Sequence, residues 1–192
     1  VANAVADTRH VRINGVDLWI PVAYFKSRTP HEVEQRDVLL ITLYPDFEPL
    51  KEHPREISKR GEWYKNVMIL VGDPTGRKTA KEIVVSRQRV YSASEFGGME
   101  YGLSSFKQPP DHKGGRELWI EGEAENPEAL VECGKIESEI SRPQCMYYMW
   151  NGGLWYNISF DKRMLAEWKS IRDRVLALTN EFRAIPIDRP ED

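Results

Sequence analysis

Residues 145–182 read C-M-Y-Y-M-W-N-G-G-L-W-Y-N-I-S-F-D-K-R-M-L-A-E-W-K-S-I-R-D-R-V-L-A-L-T-N-E-F. Two different periods run through this stretch. Up to Phe160 it is aromatic and strand-like, broken only at Asn151-Gly152-Gly153. That tripeptide supplies the positive φ angles of a tight return, so the first half is a β-hairpin. Beyond it Leu165, Trp168, Ile171, Val175, Leu178 and Phe182 recur at three- and four-residue steps, the stripe of an amphipathic helix. Asp161 is placed to cap its start, and Pro186 and Pro190 stop it downstream. A hairpin feeding a one-sided helix predicts an α+β fold: a mostly antiparallel β-sheet with a long C-terminal amphipathic helix packed on it.

Upstream, V-R-I-N-G-V-D-L-W-I-P carries Asn14-Gly15 between two apolar-rich runs, which predicts paired strands at 10–13 and 16–20 ending at Pro21. V-L-L-I-T-L-Y (38–44) and K-N-V-M-I-L-V-G (65–72) are apolar on both faces and read as central strands. The charged stretch 26–37 and the proline-rich 45–56 read as loops. Residues 79–93 fit helical spacing, but I-V-V and V-Y favour a strand, and a strand is the expectation. M-E-Y-G-L-S-S-F (99–106), R-E-L-W-I-E-G (116–122) and A-L-V-E-C-G-K-I (129–136) each read as one strand. The expected organisation is a flexible tail over 1–9, one domain over 10–186 and a tail over 187–192.

A chain of 192 residues with 41% hydrophobic and 30% charged residues can bury a full core. The net charge of −3 carries no basic excess, which argues against nucleic acid as a partner. No apolar run approaches the length of a membrane span. The polar, alanine-rich start V-A-N-A-V-A-D-T reads as the mature end of an exported protein or a short tether from an upstream lipid anchor.

Cys133 and Cys145 are the only cysteines. No C-x-x-C is present, and His10, His31, His53 and His112 lie far from both in sequence, so neither zinc nor a thioredoxin-type redox pair is indicated. The remaining readings are two buried thiols or a disulfide. The bridge is favoured, because Gly134 and Pro143 flank the intervening loop and each cysteine ends a strand-like run. It would close a loop worth about 3 kcal/mol in the chain-entropy model and imply an oxidising compartment.

No catalytic constellation emerges. G-D-P-T-G-R-K-T (72–79) follows an apolar strand as a phosphate loop would, but Arg77 replaces the glycine before the lysine and Pro74 removes an amide donor. It reads as a D-P-T-G β-turn. No G-x-S-x-G occurs. His112 in P-P-D-H-K-G-G is a loop histidine with the chemistry of a general base, and Asp46/Glu48 and Glu121/Glu123 are carboxylate pairs at strand spacing, but solvated side chains explain all of them. Asn157-Ile158-Ser159 is a glycosylation pattern inside an expected strand. No catalytic residue, metal or cofactor is expected.

What does stand out is acidic. Glu121, Glu123, Glu125, Glu128, Glu132, Glu137 and Glu139 are relieved only by Lys135. The aromatic hairpin lies beside them in sequence. Carboxylates next to outward-facing Trp and Tyr would make a hot-spot surface for a protein partner, with Glu121, Glu123, Glu137, Glu139, Tyr148, Trp150 and Trp155 as its candidate residues.

The layout resembles a family. A cysteine pair before an aromatic hairpin, the closing F-D-K-R-M-L-A-E-W-K-S-I helix, V-R-I-N-G-V-D-L-W-I-P-V-A-Y-F and L-Y-P-D-F-E-P are similar to small exported proteins of Gram-negative bacteria. These include periplasmic immunity proteins paired with type VI secretion effectors. The resemblance implies a periplasmic protein without chemistry of its own, which binds a cognate effector toxin and blocks its active site. The alternatives are an envelope hydrolase built around His112, and a structural or assembly lipoprotein of the cell envelope.

Overall fold

The computed structural model describes residues 7–26, 29–52, 61–91, 95–107, 116–123, 126–134 and 143–184. Two sheets are present. β1 (Thr8–Ile13) and β2 (Val16–Pro21) form a hairpin of their own. Its turn residues Asn14 and Gly15 have φ of 49° and 75°, the left-handed pair that the Asn-Gly signal implies.

The other nine strands make one antiparallel sheet in the order β4-β3-β5-β11-β10-β9-β8-β7-β6. They are β3 (Asp37–Leu43), β4 (Glu48–Pro49), β5 (Asn66–Gly72), β6 (Glu95–Glu100), β7 (Leu103–Lys107), β8 (Arg116–Glu123), β9 (Asn126–Gly134), β10 (Gln144–Asn151) and β11 (Leu154–Asp161). The β10–β11 hairpin turns at Gly152 and Gly153, with φ of 56° and 80°. A 3-10 turn over Lys162–Glu167 then leads into helix α2 (Trp168–Arg183), and the Asp161 carboxylate accepts the Arg163 N–H at 3.0 Å.

The stripe read from sequence is the buried one: Trp168, Ile171, Val175, Leu178 and Phe182 face the sheet. They share a core with Val11, Ile13, Leu18 and Ile20 of the first hairpin and with Tyr147, Tyr156, Ile158 and Phe160 of the aromatic hairpin. Helix and first hairpin together therefore cover one face of the large sheet. The two hairpin tips also meet, as Asn14 donates from its side-chain amide to the Gly153 carbonyl at 2.9 Å.

Four expectations are corrected. Residues 80–91 are not a strand but a helix, α1 (Ala80–Tyr91). Thr79 and Glu82 close a capping box, in which the Thr79 N–H donates to the Glu82 carboxylate at 2.8 Å and the Glu82 N–H to the Thr79 hydroxyl at 3.2 Å. That reciprocal cap outweighs the β preference of I-V-V. Met99–Phe106 is not one strand, because Tyr101 and Gly102 take φ of 54° and 78° and fold it into the β6–β7 hairpin. β3 is not central but second from the end, bordered on its outer side, among the described residues, by the two-residue β4 and by a bridge from Phe25 to Leu40. The turn after β5 closes one residue later than D-P-T-G, from the Pro74 carbonyl to the Arg77 N–H, with Gly76 at φ 73°.

Candidate partner-binding surface

Successive residues on a strand point to opposite faces, so register decides which side chains can act together. Tyr147 lies opposite Ile158 and Cys145 opposite Phe160, and these face α2. Tyr148 lies opposite Asn157 and Trp150 opposite Trp155, so the three candidate aromatics share the other face. There Tyr148 and Trp150 are half-buried against a cluster of Ala80, Leu118, Ile120 and Leu130, on which Ile83 and Val84 of α1 also pack. Trp155 is only 6% exposed. The Arg77 guanidinium sits 4.4 Å above its ring and reaches Asp37 at 3.0 Å. That occupation explains the phosphate-like loop: Arg77 is a packing residue, and Asp73 accepts the Thr75 N–H at 2.7 Å within the turn.

Glu121 points the other way. Arg172 of α2 donates to its carboxylate at 2.8 Å, and the Tyr147 hydroxyl lies 3.4 Å from it. Burial, reinforced by the Glu121 charge, pushes the Tyr147 phenol well above its ordinary range. Glu121 is therefore a link between sheet and helix. The register shift at Glu121/Gly122 falls where β9 carries an extra residue, Glu128, between Pro127 and Ala129. Glu123 is exposed at the end of β8, and Glu128 is exposed on β9. Glu132 is fully buried, 3.7 Å from Arg116, and Glu117 is ion-paired with Lys162. Glu125, Glu137, Glu139, His53 and His112 lie outside the described residues.

Of the candidate surface, then, the structure assembles Tyr148, Trp150 and Trp155 on one face and separates them from Glu121. Asn157 lies within β11 between Leu70 and Tyr148, as expected of a strand interior. His10 stacks on Trp19 at 4.7 Å and reaches Asp17 at 2.8 Å, a structural contact of the first hairpin. Among the described residues no group of three His, Cys, Asp or Glu is arranged to hold a metal ion.

Cys133 and Cys145 are directly opposite each other on β9 and β10 and form a disulfide, buried on the α2 side. Sequence reasoning missed the apolar residues that β6 and its turn present to solvent: Phe96, Met99 and Tyr101 are 61%, 65% and 54% exposed. The dipeptide Tyr101-Gly102 was the available signal, a turn hidden in an alternating run.

No protein-family model matches the chain, and no curated protein matches it in sequence. Solved structures do share its fold. An immunity protein of the Stenotrophomonas maltophilia type IV secretion system superposes with a TM-score of 0.65 at 14% identity, over 94% of each chain. The iron-regulated outer membrane lipoprotein FrpD of Neisseria meningitidis superposes with a TM-score of 0.59 at 14% identity, over 91% of this chain and 92% of that one. No helix among the described residues is long and apolar enough to cross a membrane.

Proposed function

We propose that this chain is an immunity protein of a bacterial secretion system, resident in the periplasm, which binds a cognate antibacterial effector and masks its active site. The observation that carries the reading is a fold shared end to end with a secretion-system immunity protein. The Cys133–Cys145 bridge adds support for an oxidising compartment. In this reading the chain performs no catalysis, and an upstream lipid anchor is compatible with the second fold relative. The sequence layout points to a type VI effector, whereas the fold relative serves a type IV system; the immunity role is common to both. Within the candidate set, Glu123, Glu137, Glu139, Tyr148 and Trp150 are the residues we assign to the effector-facing surface. Glu121 and Trp155 support it from beneath.

The test is co-production in the periplasm of a susceptible host with the toxic product of the neighbouring gene. We expect growth to be restored and a stoichiometric complex on a sizing column. A monomer without rescue would remove the immunity reading. A stable complex with a resident envelope protein, again without rescue, would favour the alternative raised by the lipoprotein likeness: an assembly role.

A further inference from the structure

The two ends of the nine-stranded sheet are treated differently. At one end the outer edge of β3 is closed. β4 pairs with Thr42 and Leu43, the Lys26 N–H donates to the Leu39 carbonyl at 3.0 Å, and Phe25 bridges to Leu40. At the other end β6 is terminal, and among the described residues no strand pairs with its outer side. An unpaired edge is a template for another strand, and proteins blunt such edges with lysine, proline or a bulge. The strand E-F-G-G-M-E (95–100) has neither lysine nor proline. Its bulge between Phe96 and Gly98 is one such device, yet Phe96 and Met99 stay exposed on either side of it.

This edge is also apolar. Phe96, Met99 and Tyr101 are three of the six exposed large hydrophobic residues among the described ones, and all lie within one hairpin. Tyr101 holds a left-handed φ that Asn, Asp or Gly adopts more readily, and Trp168 fixes it by donating from its indole N–H to the Tyr101 carbonyl at 2.9 Å. The turn is thus anchored to α2 while its aromatic side chain stays in solvent.

Charge selects the occupant. Residues 95–139, which contain β6, β7, β8 and β9, carry eleven acidic and four basic side chains, a net of −7 that the Glu117–Lys162 and Glu121–Arg172 pairs with the rest of the chain reduce to −5. A second copy is disfavoured, because antiparallel self-pairing of E-F-G-G-M-E would set Glu95 against Glu100 at both ends. We propose that the outer edge of β6 receives an extended basic segment of the partner as a further strand, with Phe96 and Met99 gripping its apolar side chains and the acidic end of the sheet steering its lysines and arginines. For the identity of that partner as the effector, this rests on the immunity reading.

The test uses the full chain, labelled for amide NMR, and two end-blocked heptapeptides: alternating lysine–valine and alternating glutamate–valine. We expect the basic peptide to shift amides of Phe96–Glu100 and slow their exchange. The acidic peptide should have no effect, and raising salt to about 0.5 M should weaken binding by roughly tenfold or more. The double variant Phe96→Lys/Met99→Lys should lose at least about tenfold in affinity, whereas Val85→Lys, at an equally exposed apolar position on α1, should not. Shifts centred on another face, equal binding of both peptides, or none at millimolar peptide would overturn the proposal. The two readings fail separately. An effector complex indifferent to the double variant removes the docking edge and leaves immunity standing; edge binding of the peptide without any effector complex does the reverse.

Discussion

Arg172 of α2 and Glu121 of β8 meet at 2.8 Å, and this contact ties the closing helix to the acidic end of the sheet. Both side chains keep about a quarter of their surface in water, at 26% and 22%. Glu121→Gln should therefore cost about 1 kcal/mol, a charged hydrogen bond discounted for solvent screening. Glu123→Lys should leave stability unchanged and instead weaken effector binding. Denaturant melts paired with affinity measurements check both. An affinity loss from Glu121→Gln without destabilisation would return Glu121 to the effector-facing surface.

Alkaline pH should unfold the protein through its buried phenols. Burial raises both Tyr147 and Tyr156 above the ordinary tyrosine value near 10. The neutral phenols are favoured in the folded state, so their contribution is complete below about pH 10 and is lost as pH climbs toward the raised folded values. Phenolate absorbance should show two tyrosines ionising late, together with loss of structure. If all tyrosines ionised together near pH 10 in the folded protein, the buried placement of these two would be wrong.

The disulfide should be constitutive and stabilising. Protein produced in the periplasm of an expression host and then denatured should show no free thiol until reductant is added, and two afterwards. Replacing Cys133 and Cys145 by Ala should cost about 3 kcal/mol, or roughly 6–12 °C in Tm for a chain of this size. An unchanged Tm would make the bridge incidental to the fold.

Helix α1 depends on its first turn. Thr79→Ala removes one half of the capping box and should cost about 1 kcal/mol, read as faster amide exchange in α1 alone. The Thr79 N–H and hydroxyl hold Glu82 below the usual carboxylate range. The cap is thus intact above about pH 4.3 and is lost as pH falls through the lowered value. Exchange in α1 that ignored both the substitution and the acid would show that packing, not the cap, holds the helix.

Local periods were legible in the sequence, and non-local choices were not. The aromatic hairpin, the Asn14-Gly15 hairpin and the stripe from Leu165 to Phe182 each declare themselves within eighteen residues or fewer. α1 was misread because β-branched Ile83, Val84 and Val85 argue against the T-x-x-E box beside them. β6 and β7 merged because Tyr101-Gly102 is an uncommon dipeptide for a left-handed turn. The role of Glu121 was hidden for a different reason: it turns on Arg172, fifty-one residues away. Likewise nothing local says that β5 lies between β3 and β11.

That last neighbour relation has a consequence for the chain's biogenesis. β5 finds its second sheet neighbour in β11, and the first hairpin shares its core with α2. A chain threaded N-terminus first through a translocation pore would have nothing complete to collapse onto until almost its last element had emerged. Long-range pairing of this kind delays folding. The topology thus leaves the large sheet unfinished until β11 is in place, and the Cys133–Cys145 bridge cannot close before β10 has been made.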